Sequence, residues 1–338
     1  MKIKAGIIGL GKMGLSHAAI VNPHPDVDLV GVCDTSSIVL DAFRKFSKVN
    51  AYDDYKKMID TERPDFVIVA SPTRFHFEMV RYALERGIHT FCEKPFTLTL
   101  DEGEELLRLA EQKRLINQVG FHNHFIGTFR ELKRLMKANV LGELVHFTGE
   151  AYGPVVIREK GDTWRSDPAE GGGCLCDYAS HVINLIQEIL GPPVKAGGSQ
   201  LKKIYSKKVE DAVYSILTLE NGLAGVLSVN WSDETYRKMS TSLMVMGKKG
   251  KIMCDATELK IFLKEENKKE NLGKGWTIKY ITDLAIPVNF YLRGEEYSAQ
   301  IDHFIDCVVK NKESEINTFA QALLTDKAIE LIIEDSKR

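Results

Sequence analysis

The segment Gly9-Leu10-Gly11-Lys12-Met13-Gly14 constrains this chain more than any other, because of what flanks it. An apolar run over Ile3–Ile8 leads into it, and apolar residues at helical spacing over residues 13–21 lead out. A strand that turns through glycines into a helix leaves backbone N–H groups and a helix N-terminus facing open space, a cradle suited to a pyrophosphate. In such a cradle Gly9 permits the tight turn, Gly11 lets the phosphates approach, and Gly14 lets helix and strand pack closely, with Lys12 and Met13 opening the helix beside the anion. Asp34 ends the next apolar run about 20 residues beyond the glycines, where a carboxylate accepts hydrogen bonds from an adenosine ribose. The expected ligand is therefore a dinucleotide. A fixed carboxylate also repels a 2′-phosphate, and no Arg follows at once, so NAD is expected over NADP. Two alternatives stay open: Asp34 also fits a cap for a helix beginning near Ser36, and the hydroxyls of Thr35, Ser36 and Ser37 suit a phosphate.

The pattern begun by this motif continues. Strand candidates at residues 3–8, 29–33, 66–70, 89–92 and 116–120 alternate with helix candidates at 13–21, 36–46, 76–86 and 100–113, the signature of a doubly wound parallel sheet. Beyond residue 121 the texture changes to strands at 144–152, 194–203, 212–219, 224–231, 241–246, 251–254 and 259–263, a mostly antiparallel sheet with Asn221-Gly222 as its clearest hairpin turn. Residues 264–274 read as a charged, solvated loop, and 298–309 and 318–333 as closing helices. The expected organisation is α/β: a dinucleotide-binding domain over 1–121 and a substrate and oligomerisation domain over 122–338. A length of 338 residues suits two cores.

Composition narrows the partners. Lys+Arg 45 against Asp+Glu 47 gives a net charge of −2, so no basic field draws in nucleic acid or an anionic membrane. The six cysteines are scattered without a two-residue gap and read as reduced, and no apolar run is longer than a strand, so a cytoplasmic location is expected.

Four blocks in order, Gly9 to Gly14, Ala70-Ser71-Pro72-Thr73 with His76, Glu93-Lys94-Pro95, and Gly171-Gly172-Gly173 followed by Asp177 and His181, resemble the Gfo/Idh/MocA family of glucose-fructose oxidoreductase and inositol 2-dehydrogenase. The resemblance implies an N-terminal Rossmann domain and a C-terminal α/β domain whose open sheet commonly serves oligomerisation, as a homodimer or homotetramer. It implies NAD(P)-dependent oxidation or reduction at a hydroxyl carbon of a sugar, cyclitol or nucleotide-linked sugar. It also implies that Ser71, Pro72, Thr73, His76 and Glu93 lie on the cofactor side, with Thr73 where the family often has Asn.

Hydride transfer needs a held hydroxyl and a proton acceptor rather than a protein nucleophile. Lys94 follows the 89–92 strand at its carboxyl end, where open α/β sheets bind ligands, and its ammonium suits the reacting oxygen. Asp177 and His181 are four apart on a helix, so the carboxylate can orient an imidazole that exchanges a proton near neutral pH. Asn184 and Glu188 continue the polar stripe, Asn184 standing where the family frequently has Asp. Further substrate candidates are His122 and Asn123 at the domain crossover, Tyr152, Tyr178, and Trp164-Arg165, whose indole and guanidinium suit a sugar face and its hydroxyls. The spacing in His122-Asn123-His124 fixes no third ligand, and no metal is expected. The expected activity is thus an NAD-dependent dehydrogenase. Two alternatives are a reductase or aldose-ketose oxidoreductase that retains its cofactor, and a dinucleotide-binding sensor without turnover.

Overall fold

In the computed structural model, which describes residues 2–156, 164–292 and 294–338, the alternating pattern at the start becomes a regular succession. It runs β1 (Ile3–Ile8), α1 (Lys12–Val21), β2 (Val27–Cys33), α2 (Ser37–Phe46), β3 (Asn50–Tyr52) and α3 (Tyr55–Glu62), then β4 (Phe66–Val69), α4 (His76–Glu85), β5 (His89–Cys92), α5 (Leu100–Gln112) and β6 (Asn117–Val119). All six strands are parallel, in the order β3-β2-β1-β4-β5-β6, which is the doubly wound Rossmann order. Central strands of such a sheet are buried on both faces, and Phe66, Val67, Ile68 and Val69 of β4 are fully enclosed. Thr99 and Glu102 form a reciprocal capping box that starts α5.

The sequence pattern does not anticipate β3 and α3. The strand is a three-residue edge, and the helix buries only Met58 and Ile59, too few apolar positions to show a period.

The chain divides into two compact units, Met1–His122 with Pro287–Leu323, and Asn123–Ile286 with Leu324–Arg338. A single boundary after residue 121 therefore assigns Pro287–Leu323 to the wrong side, and packing shows why. Two late helices follow the second sheet, α9 (Glu295–Lys310) and α10 (Phe319–Ser336), once α6 to α8 below are counted. Phe304 of α9 sits edge-on to Phe66 and Phe91, completing the apolar layer that α1 and α2 make on one face of the parallel sheet. The other face is covered by α3, α4, α5 and the start of α10.

The second unit contains α6 (Gly127–Lys137), β7 (Leu144–Tyr152), α7 (Ser180–Leu190), β8 (Pro193–Lys202), β9 (Ala212–Leu219), β10 (Ala224–Asn230), β11 (Ser240–Gly247), β12 (Gly250–Asp255), β13 (Glu258–Leu263), β14 (Gly275–Tyr280) and α8 (Ile281–Leu284). The strands form one sheet in the order β14-β13-β12-β11-β7-β10-β9-β8, antiparallel except where β10 meets β7. β14 follows the charged 264–274 stretch and is an addition to the expected strands; its residues alternate half-buried and exposed, as an edge strand does. Residues from α6, α7 and the end of α10 bury one face of this sheet. The opposite face exposes large apolar side chains, Ile216 54%, Trp276 56% and Tyr280 52%, together with a polar group of Glu150, Tyr152, Ser228 and Ser242.

Candidate functional site

In the first unit the glycine turn has the shape its sequence demands. Gly9 has φ +90°, and a Cβ there would lie 2.8 Å from the Ala70 carbonyl; a Cβ on Gly14 would overlap the Gly9 carbonyl oxygen. At Gly11, the N-cap of α1, an added Cβ would meet nothing within 4 Å. The turn is thus tight underneath and open above, and these residues fit a pyrophosphate. Asp34 holds the turn: one carboxylate oxygen accepts the Leu10 N–H at 2.5 Å and the other the Ser36 N–H at 2.8 Å. The second bond makes Asp34 an Asx turn before α2, whose N-cap is Ser36 itself. A carboxylate has about four acceptor sites, so two remain for ribose hydroxyls.

The loop at the carboxyl end of β4 lies against this turn, and the loop after β5 lies against the β4 loop. Pro72 starts a 3₁₀ turn over Thr73–Phe75, with Thr73 buried. His76 is fully enclosed, with Nδ1 2.9 Å from the Pro95 oxygen and 3.1 Å from that of Phe96, and Nε2 2.9 Å from the Ser71 oxygen. Every N–H the ring carries is therefore engaged by the protein, and His76 staples the two loops together. Burial lowers its pKa, against the pull of those carbonyls and of the Glu93 charge. Glu93, Lys94 and Pro95 follow β5, with a cis Lys94–Pro95 bond. Glu93 is buried against His17, and Lys94 is half-buried. His122 stacks on Tyr297 at 4.6 Å.

In the second unit Asp177 is on a π-helical turn, Leu175–Ala179, that runs directly into α7 and His181. The sequence predicts an ordinary helix here; a π-turn widens the winding locally and is frequent at functional sites. Both side chains are buried, Asp177 to 2% and His181 to 3% exposure. The Arg165 Nε donates to Asp177 at 2.9 Å, so the residue expected to clamp substrate is paired with the carboxylate expected to orient the imidazole. Trp164 opens the short turn Trp164–Ser166, and its side chain lies outside the described residues.

Glu210 is a contributor the sequence reading does not identify. Its carboxylate accepts the Leu175 N–H at 2.9 Å and its backbone oxygen the Cys174 N–H at 3.0 Å, which caps the helix carrying Asp177 and His181. Gly173, at φ +112°, is where a Cβ would strike that carboxylate. Burial raises the Glu210 pKa. No local motif marks Glu210, because its partners lie 35 residues away.

Other candidates fall elsewhere. Asn184 is buried with both amide ends engaged, Oδ1 by the His124 Nε2 and Nδ2 by the Thr325 hydroxyl at 3.2 Å, and Glu188 pairs with Lys133. The far half of the polar stripe therefore holds helices together. Asn123 is buried, and its Nδ2 has no hydrogen-bond partner among the described residues. Tyr152 points to the open face of the sheet, donating to Ser228 Oγ at 2.8 Å, while its neighbours Gly149 and Ala151 face the helices. Alternation along β7 thus puts its side chain on the opposite face of the sheet from α7. Tyr178 packs edge-on against Trp231. Among the described residues no cluster of three or more His, Cys, Asp or Glu is arranged for a metal.

Comparison with known proteins fits this geometry. Residues 3–121 match the oxidoreductase family described as having an NAD-binding Rossmann fold, and residues 129–253 match the GFO/IDH/MocA C-terminal domain. A D-glucoside 3-dehydrogenase of Escherichia coli is 29% identical over 252 residues, 69% of this chain and 70% of that protein. A myo-inositol 2-dehydrogenase of Thermotoga maritima is 26% identical over 263 residues, 75% of each. The structure of a levoglucosan dehydrogenase in complex with NADH and levoglucosan superposes with a TM-score of 0.87 at 20% identity, covering 100% of this chain and 98% of that one.

Proposed function

The chain belongs to the Gfo/Idh/MocA family of NAD-binding oxidoreductases, and from that premise we propose that it oxidises a ring hydroxyl of a sugar or cyclitol. The observation that carries the reading is the placement of Lys94. It follows the carboxyl end of β5 in the loop that His76 staples to the turn after β4, so its backbone is anchored at the strand ends where a parallel sheet binds ligands.

When bound, NAD supplies a hydride acceptor; the glycine turn, Asp34 and the residue 71–76 loop would hold it. Lys94 holds the substrate hydroxyl oxygen and meets the negative charge that develops there. His181 takes the hydroxyl proton, and Asp177, itself fixed by Arg165, orients the histidine. A second copy of the chain covers the exposed Ile216, Trp276, Ile278 and Tyr280 of the open sheet face, and a monomeric mass by light scattering at micromolar concentration would contradict that part. A panel of sugars, cyclitols and nucleotide-linked sugars, assayed for NADH formation with wild type and Lys94→Ala, tests the whole. The reading expects turnover on at least one ring alcohol by wild type only; turnover that survives Lys94→Ala sinks it.

A further inference from the structure

His17 has no part in the chemistry described so far, yet it is fully buried in α1, three residues past Gly14. A buried imidazole without hydrogen bonds is costly, so its partner indicates its purpose. Nε2 is 2.7 Å from Glu93 Oε1, while Nδ1 is buried with no partner among the described residues. A carboxylate only accepts, so Nε2 carries the hydrogen. The ring also sits edge-on to Phe91, two residues before Glu93 on β5, at 5.4 Å. Whatever His17 does by hydrogen bonding among the described residues, it does through Glu93.

Glu93 is confined on every side. Its N–H donates to the Val69 oxygen at 2.8 Å, and a Cβ on Gly120 would lie 2.9 Å from its Oε2. The charged or titratable groups facing it are His17 from α1, Cys92 and Lys94 on either side in the chain, His122 after β6, and His76 from α4. Burial would raise its pKa, but the hydrogen bond and charge of His17 together with the charges of Lys94 and His122 outweigh that and hold it below the ordinary carboxylate value.

We propose that His17 is a positioning residue: its Nε2–H holds the buried Glu93 carboxylate, and through it the backbone from which Lys94 projects, tying the phosphate-cradle helix to the residue that grips the substrate. The proposal rests on the role given to Lys94 above. It accounts for a histidine on the inner face of a helix whose other buried positions are small or apolar, apart from Ser16.

The test compares His17→Leu, which keeps much of the volume but no donor, with His17→Gln, which keeps an N–H. The full-length protein is titrated with ¹³C-labelled glutamate, and the Glu93 carboxyl signal is assigned with Glu93→Gln. In His17→Leu the Glu93 midpoint should rise by about one pH unit or more, kcat should fall about tenfold, and the acid limb of kcat/KM should move up with it. His17→Gln should recover most of both. An unmoved Glu93 midpoint in His17→Leu, or His17→Gln as impaired as His17→Leu, overturns the proposal. If His17→Leu does not fold, ¹⁵N-histidine spectra of the wild type decide: an Nε2–H tautomer hydrogen-bonded to carboxylate supports it, and an Nδ1–H tautomer overturns it. Failure of the underlying reading looks different, since Lys94→Ala would then keep its turnover whatever the His17 variants did.

Discussion

In the parallel-sheet unit the groups that would meet the cofactor phosphates are backbone atoms of a glycine turn, held by Asp34 and the loop after β4. In the open-sheet unit Asp177 and His181 depend instead on side chains remote in sequence, Arg165 on one and Glu210 at the head of their helix. The difference teaches where each half is brittle. A backbone cradle tolerates altered side chains but no Cβ at Gly9 or Gly14, whereas a site hung on a π-helical turn is sensitive to the side chains that cap and pair it.

The largest effect that sharpens this contrast is expected from Gly14→Ala. Its Cβ overlaps the Gly9 carbonyl, so NAD affinity by calorimetry should fall by up to about a hundredfold. Affinity within a factor of two of wild type would show that the turn yields. In the other unit Arg165→Ala should leave NAD affinity intact and lower kcat about tenfold, less than for a fully buried pair because the guanidinium is 44% exposed. Equal loss of kcat and of NAD binding would break the division between the halves.

These positions also show what the sequence makes legible. The glycines, Asp34 and the Lys94 strand end are local features, and the boundaries of β1, β5, β7 and β9 follow their apolar runs to the residue. The return of α9 to the parallel sheet was not legible, because Phe304 reads as an ordinary helix residue until Phe66 and Phe91 are beside it. Glu210 and the His17 to Glu93 bond were hidden for the same reason: a carboxylate's partner across 35 or 76 residues leaves no spacing to find. Asn184 was legible as polar and on the right face, but only tertiary packing shows its amide engaged by His124 and Thr325.

A smaller effect is expected at Asp34. Asp34→Ala removes the charge that repels a 2′-phosphate, so the NAD over NADP ratio of kcat/KM should narrow by about tenfold. A wild-type enzyme faster with NADP would contradict the assignment. The smallest effect concerns stability in the second unit, where burial lifts the Asp326 pKa from 3.8 to about 7. A raised carboxyl pKa favours the folded state while the group is protonated, and that contribution is lost as pH rises from about 4 through about 7. Asp326→Asn should therefore melt about 2 to 4 °C above wild type at pH 8 and lose that advantage by pH 4. A gain that is the same at both pH values would place the effect outside this ionisation.

The central claim is that proton transfer belongs to His181 and cofactor binding to the other unit. Its most direct test is His181→Ala assayed for kcat with the substrate found by the panel and, in parallel, for NAD affinity. General-base help is worth about 10² to 10⁴ in rate, so kcat should fall by that factor while the NAD dissociation constant changes less than about threefold. A near wild-type kcat, or a loss confined to NAD affinity, would contradict it.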